Sequence, residues 1–184
     1  MKKFLVIAGI AVAVLIVLGA VTNYFMKKHT KSFSPEEEVV FKEGELDIKV
    51  FYNRPFKKGR QIFGFLVPYG QVWRTGANEA TTFETNKDLE FENQKLKKGK
   101  YSLWTIPGEE TWTVIFNSEY GQWGIGPDGE ANRDPARDVL TLTVHSVQAQ
   151  RDFEQFTISF EKTGEDAEMV LIWDKTLVAV PFWY

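Results

Sequence analysis

The sequence contains no cysteine and only two histidines in 184 residues. Without cysteine the chain has no disulfide framework, no lipid-modified cysteine and no thiol chemistry, although this absence does not identify a compartment. His29 lies beside an apolar N-terminal segment, so His145 is the only imidazole in the rest of the chain. A zinc site built on histidines is therefore excluded, and a Ser-His-Asp triad would have to use His145, which no nucleophile-elbow sequence accompanies. We expect no metal and no cofactor.

Positive charge is scarce outside the N-terminal segment. The chain has 22 Lys and Arg against 25 Asp and Glu, and five of the lysines lie in residues 1–31, where there is no acid. The remaining 17 cations face all 25 acids, which gives residues 32–184 a net charge of −8. Because contacts to phosphates require local positive charge, we expect no nucleic-acid partner.

Long apolar runs are also rare, and the clearest one covers residues 4–21 and continues weakly to residue 26. About 20 apolar residues cross a bilayer as a helix, whereas the apolar region of a cleaved signal peptide has about 7–15. We therefore predict an uncleaved, single-pass signal anchor over residues 1–31 that contacts membrane lipid through residues 4–26. A cleaved signal peptide is the alternative.

The orientation of this anchor follows from its layout, since the flanking lysines on its two sides are almost equal in number. A short N-terminal tail before a long C-terminal domain is the common layout of a signal anchor, which predicts an extracytoplasmic, periplasmic domain. The basic run Lys27–Lys31 suits contact with lipid headgroups.

In much of the rest of the chain, apolar residues recur at every second position. Residues 32–38, SFSPEEE, have linker composition, so we predict a folded domain over residues 39–184. Apolar and polar residues alternate, or apolar residues cluster between turn residues, at 46–51, 80–85, 89–91, 100–106, 112–117, 139–146, 153–162, 167–173 and 177–182. This pattern predicts an all-β, antiparallel β-sandwich, jelly-roll-like, or a barrel, with eight or nine strands.

The segment from Tyr52 to Thr81 carries the strongest functional signal, because cations, aromatic residues and glycines crowd around one Asn-Glu pair. Guanidinium groups can fork onto a carboxylate or phosphate, while an amide and an acid bind hydroxyls and an aromatic ring offers a flat platform. We predict a non-catalytic binding or accessory site for a polar, glycan-like or anionic ligand. The candidate ligand-binding residues are Arg60, Tyr69, Trp73, Arg74, Asn78 and Glu79.

Three alternatives remain for this segment. Glu79 can instead pair with Arg74 or Arg60 as an internal lock without a ligand. Glu79 is also the candidate catalytic residue, as general acid or base of a hydrolase or isomerase. The domain can finally be a structural module that docks a protein partner. The acidic loop 124–134 does not match a calcium loop, because Arg133 and Val139 occupy the positions that need glycine and glutamate.

Several short motifs together resemble one family. They are KGR at 58–60, IFG at 62–64, LVPYG at 66–70, VWRTGANEAT at 72–81, GKYSL at 99–103, IP at 106–107, WTVIFN at 112–117 and WG at 123–124. Over most of residues 45–182 the chain resembles the bacterial family called domain of unknown function 2911. The resemblance implies an exported, envelope-associated domain with no established activity. Members typically have a tyrosine-rich loop after the Trp-Gly pair, where this chain has the acidic loop 125–138.

Overall fold

The computed structural model describes residues 2–164 and 166–184. These residues form one long helix, nine strands and a short 3-10 helix at Pro135–Arg137. The helix α1 is Lys2–Phe33, and the strands are β1 (Glu36–Glu43), β2 (Leu46–Asn53), β3 (Thr82–Thr85), β4 (Leu89–Phe91), β5 (Gln94–Leu96), β6 (Gly99–Ile106), β7 (Thr111–Asn117), β8 (Asp138–Thr163) and β9 (Asp166–Phe182). The chain divides into two compact units, one ending at Phe33 and the other running from Ser34 to Tyr184.

Helix α1 is long and apolar enough to cross a membrane. Its stretch Gly9–Phe33 has 25 residues, and an 18-residue window within it has a mean hydropathy of 2.1. The helix continues two residues beyond the predicted anchor boundary at residue 31, and Pro35 disfavours further helix because the residue before a proline avoids the α conformation. By length and composition this helix suits a membrane anchor or a signal sequence.

The first strand begins earlier than the composition of residues 32–38 suggests. β1 starts at Glu36, and its acids pair with the last residues of β2, since Glu36 lies opposite Asn53 and Glu38 opposite Phe51. The run of acids is tolerated because these side chains lie at the edge of the sheet, with Glu36 and Glu38 exposed. Residues 36–38 are therefore part of the sheet and only Ser34 and Pro35 separate helix from strand.

Seven strands form one antiparallel sheet in the order β1-β2-β3-β6-β7-β8-β9, and β4 and β5 form a separate two-stranded ribbon. Because side chains along a strand point alternately to the two faces of the sheet, every second residue lies on the buried face. In β2 these residues are Leu46, Ile48, Val50 and Tyr52, all at most 1% exposed. The predicted all-β, antiparallel, sandwich-like class is confirmed.

The sheet curls so that its first strand meets its last two across the core. Phe41 of β1 stacks on Phe160 of β8 with ring centroids 5.3 Å apart, and it meets Phe182 of β9 edge to face at 6.1 Å. At the margin of this contact Lys162 pairs with Glu43. The larger of two apolar clusters therefore lies between the two halves of the curled sheet, and a smaller one consists of Ala80, Trp104 and Ile115.

Strands β8 and β9 are longer than the predicted strands, with 26 and 17 residues. The pairing of β8 with β9 shifts register between Gln148 and Phe153 and again between Phe153 and Thr157. A bulge bends a strand and interrupts its alternation without ending its pairing. The runs predicted at 139–146 and 153–162 are therefore two parts of one strand, as are those at 167–173 and 177–182.

The strand registers define two ends of the sheet. At the first, which we call the proximal end, β1 begins opposite the end of β2, and Phe51 of β2 pairs with Thr82 at the start of β3. β6 runs from Gly99 past this level to Ile106, so the β6–β7 turn at 107–110 also lies at the proximal end. The opposite, distal end carries the β1–β2 turn at residues 44–45 and the turn after β3.

Candidate functional site

Trp73 lies in an aromatic cluster near the proximal end. Its ring stacks on Trp173 with centroids 6.1 Å apart, and it meets Phe156 at 5.0 Å and Trp112 at 6.2 Å. Its indole Nε1 donates to the carbonyl of Gly76 at 2.9 Å. The partly buried indole thus packs against core rings and holds the following turn through its own N–H.

The turn that follows, residues 73–81, is held by its own threonines. Thr75 is completely buried with φ at 54°, an unusual conformation for a β-branched residue. Its hydroxyl lies 3.1 Å from that of Thr105, and the Thr81 hydroxyl donates to the Thr75 carbonyl at 2.7 Å. These bonds maintain a strained backbone, and such strain clusters at functional sites in proteins.

Asn78 and Glu79 meet at the end of β2. The Nδ2 of Asn53 donates to Glu79 Oε2 at 3.1 Å, and the Nδ2 of Asn78 donates to Asn53 Oδ1 at 3.2 Å. Asn78 also reaches the carbonyl of Ser34 at 3.4 Å and has φ at 58°, which asparagine tolerates better than most residues. The network therefore ties the turn both to β2 and to the first residue of the domain. The acid–base role of Glu79 stays a prediction.

Arg74 is the residue of this turn whose polar atoms are least satisfied. Within the chain as described, neither its Nε nor its Nη1 has a hydrogen-bond partner, and both atoms are buried. Burial lowers the pKa of the Arg74 guanidinium, and the negative charge of Glu79 partly opposes that shift. The guanidinium remains charged, since an arginine pKa lies far above neutral pH. A buried cation thus keeps two donors available.

The stem of Arg74 depends on Gly124 for its position. A Cβ at residue 124 would lie 2.5 Å from Arg74 Cδ and 2.9 Å from its Cβ, and Gly124 has φ at 97°. Only glycine fits both conditions. The Trp-Gly pair at 123–124 and the VWRTGANEAT run therefore meet in space at Arg74.

Gln122 belongs to the same neighbourhood. Its backbone carbonyl accepts from Ala80 N at 3.1 Å, next to Thr81, whose N donates to the Arg74 carbonyl at 3.2 Å. The side-chain Oε1 of Gln122 is buried and has no partner among the described residues. The backbone carbonyls of Arg74 and Gln122 thus accept from two consecutive residues, Thr81 and Ala80.

Arg60 and Tyr69 lie in the loop before this turn and are engaged locally. Arg60 is exposed, and its guanidinium donates to the carbonyls of Lys57 at 3.0 Å and Phe56 at 2.5 Å. Tyr69 is 41% exposed and its ring covers Gly64, where a Cβ would lie 2.8 Å from the ring. Their role in ligand binding stays a prediction, whereas Trp73, Arg74, Asn78 and Glu79 share the turn.

Sequence reasoning did not select Asn53, Gln122 or Gly124. Asn53 follows an alternating strand, and its contact with Glu79 joins residues 26 positions apart. The only sequence signal for Gln122 and Gly124 was their place in or beside the Trp-Gly motif.

The family comparison covers nearly the whole domain. A family model described as "Protein of unknown function (DUF2911)" matches residues 34–182. Neither the curated proteins nor the solved structures contain a match to this chain. The matched range begins where the folded unit begins and ends with β9. The chain therefore belongs to the DUF2911 family of proteins of unknown function.

Proposed function

We propose that this chain is a membrane-anchored binding or accessory domain of the bacterial envelope that holds a polar ligand at Arg74. The observation that carries the proposal is the partly buried Arg74, whose guanidinium atoms Nε and Nη1 are buried and have no hydrogen-bond partner within the described chain. A buried donor without a partner costs about 1–3 kcal/mol. An oxyanion of a ligand would remove this cost with charge-assisted hydrogen bonds.

The ligand class follows from the charges beside Arg74. The negative charge of Glu79 lies close enough to the Arg74 guanidinium to stabilise its charged form. The same charge lowers the net positive charge of the site. The buried Gln122 Oε1 accepts hydrogen bonds but cannot donate them. A ligand with one acidic group and neighbouring hydroxyls satisfies all three residues, so a uronic acid or another acidic sugar fits better than a multiply charged anion.

Glucuronate is a suitable probe of this site, with glucose as the neutral comparison. The full chain in detergent is expected to gain thermal stability with glucuronate, by about 1.4 kcal/mol at a concentration near tenfold the Kd. The Arg74→Met variant should lose this gain. The matched control is Arg137→Gln, because Arg137 is an exposed cation on the 3-10 helix that pairs with Asp134. An equal gain in Arg74→Met and in the unsubstituted chain would contradict the proposal.

The proposed location rests on α1, which has the length and composition of a spanning helix. We place residues 34–184 on the extracytoplasmic side. Because the chain has no cysteine, a single cysteine at the exposed residue Glu45 gives an unambiguous probe in whole bacterial cells. Labelling by a membrane-impermeant maleimide is expected. Protection until the cells are lysed would contradict this orientation, and a purified chain that lacks the N-terminal apolar run would show a cleaved signal peptide.

A further inference from the structure

The loop at residues 61–70 presents apolar side chains to solvent. Phe65 is 75% exposed, and Leu66 and Tyr69 are 43% and 41% exposed. Single exposed apolar residues are ordinary on protein surfaces, but adjacent large ones on a loop tip are typical of an interaction site.

The conformation of loop 61–70 is fixed from within. Ile62, Phe63 and Val67 are at most 7% exposed and pack in the core. Gly64 N donates to the Val67 carbonyl at 2.9 Å, and Val67 N donates to the Ile62 carbonyl at 2.9 Å. Because the buried residues hold the base of the loop, the outward direction of Phe65 and Leu66 is built into the fold.

Exposed cations precede this loop on a domain that is otherwise acidic. Lys58 and Arg60 are both exposed, whereas residues 32–184 carry a net charge of −8. Arg60 is held beside the loop by its bonds to the carbonyls of Phe56 and Lys57. An apolar tip with neighbouring cations suits the boundary between anionic headgroups and acyl chains.

Loop 61–70 lies at the proximal end of the sheet. It follows the end of β2 in the chain, and Gly70 N donates to the carbonyl of Pro107 in the β6–β7 turn at 2.8 Å. The same end receives the chain from α1, since Arg54 N donates to the Pro35 carbonyl at 2.8 Å and Asn78 donates to Ser34. Only Ser34 and Pro35 separate α1 from β1.

We propose that loop 61–70 inserts Phe65 and Leu66 into the surface of the bilayer that α1 spans, with Lys58 and Arg60 against the headgroups. The inference rests on the proposed anchoring by α1 and adds a second lipid contact made by the folded domain. A lipid surface suits the loop better than a protein partner, because three exposed side chains offer far less area than the roughly 800 Å² that each partner buries in a stable protein interface. This contact would hold the domain in one orientation on the membrane.

The absence of cysteine allows a direct test. Phe65→Cys and Leu66→Cys chains, each labelled with a polarity-sensitive fluorophore, are reconstituted in full length into vesicles of phosphatidylethanolamine and phosphatidylglycerol. The control is Glu45→Cys, because the Glu45 side chain is 90% exposed and lies in the distal β1–β2 turn. We expect the emission of both loop probes to shift to shorter wavelength and to lose intensity with lipids that carry a nitroxide on the acyl chain. The Glu45 probe should show neither change.

Each outcome separates the loop contact from the anchor. If the labelled chains float with the vesicles and the loop probes behave like the Glu45 probe, the loop contact is wrong and the anchor stands. If the chains do not float, the anchor is wrong and the loop contact falls with it. A shift to shorter wavelength without nitroxide quenching would place the loop against protein, such as a second copy, and overturn the lipid contact. Matching unfolding temperatures of labelled and unsubstituted chains exclude misfolding as the cause.

Discussion

Loop 61–70 and the turn at 73–81 are neighbours in sequence, yet their side chains are used in opposite ways. In the turn, Thr75 and Asn78 direct polar atoms inward to hold the backbone. In the loop, Phe65 directs an apolar ring outward. The direction of each side chain therefore separates the part that stabilises the fold from the part that is exposed to solvent.

Arg74 is the exception inside the turn. Its backbone carbonyl takes part in the turn through the bond from Thr81 N. Its Nε and Nη1 are buried and have no partner in the described part of the chain. The residues around Arg74 thus stabilise the turn, and recognition of a ligand is the role that we propose for Arg74 itself.

The largest difference should appear between the two aromatic residues. Trp73→Ala removes a ring that packs on Trp173 and Phe156, so the free energy of unfolding should fall by about 3–5 kcal/mol. Phe65→Ala removes an exposed ring and should change it by no more than about 0.5 kcal/mol. Chemical unfolding of the full chain in detergent measures both. Equal losses would mean that the loop and the turn contribute alike to the fold.

Two substitutions of Asn78 distinguish how much its backbone conformation and its hydrogen bonds each contribute to stability. Asn78→Gly should cost about 1–2 kcal/mol, because the bonds to Asn53 and Ser34 are lost. Asn78→Ala should cost about 1 kcal/mol more, because alanine is disfavoured at the φ of 58°. Thermal unfolding of the two variants gives the comparison. If alanine were the less harmful substitution, the turn would not require this conformation.

Arg74→Met tests whether Arg74 is a structural residue of the turn or a ligand residue. Methionine keeps an apolar stem against Gly124 and removes the donors without partners, so stability should change by no more than about 1 kcal/mol. An internal lock with Glu79 predicts a loss of about 3–5 kcal/mol instead. Unfolding of Arg74→Met, Glu79→Gln and the double variant gives the coupling between the two residues. A coupling as large as the lock predicts would remove Arg74 from the recognition role.

The smallest expected effect is at the distal end, which serves as a reference for the proximal end, because the partly exposed carboxylate of Asp88 holds the turns there. The pKa of Asp88 lies below its ordinary value, first because Lys98 N–H donates to it and second because Lys97 donates to it. Because folding lowers the pKa of Asp88, the ionised carboxylate stabilises the folded chain above about pH 4. This stabilisation is lost as the pH falls through the pKa that Asp88 has in the folded chain. The unfolding temperature of Asp88→Asn should therefore be below that of the unsubstituted chain at neutral pH and converge with it in acid. A constant difference would show that the charge of Asp88 does not matter.

Much of the fold was predictable because alternation is a local signal. The strand β2 and its buried Ile48 and Val50 follow directly from a period of two. The early start of β1 was not predictable, because three acids in a row read as a linker until Asn53 and Phe51 supply their partners. The continuity of β8 was missed since bulges near Phe153 break the alternation.

The candidate site was predictable only as a segment. The run at 73–79 identified Arg74 and Glu79 as neighbours in sequence, but the position of the Arg74 side chain depends on Gly124, which approaches it from a distant loop. Conversely, Arg60 looked like a second ligand cation, and the structure shows its guanidinium bonded to carbonyls of its own loop. Whether an arginine is satisfied within the chain depends on contacts between distant residues, which the spacing of residues along the sequence does not reveal.

The most direct test of the central claim observes the Arg74 guanidinium itself. The chain has six arginines, so selective isotope labelling of arginine gives six Nε–H signals in a nuclear magnetic resonance spectrum. Assignment through Arg74→Met identifies one of them, and glucuronate is then titrated into the full chain in detergent. A recognition role predicts that the Arg74 signal shifts and saturates while that of exposed Arg137 does not. An Arg74 signal that remains unchanged at saturating glucuronate and at saturating phosphate would contradict the account.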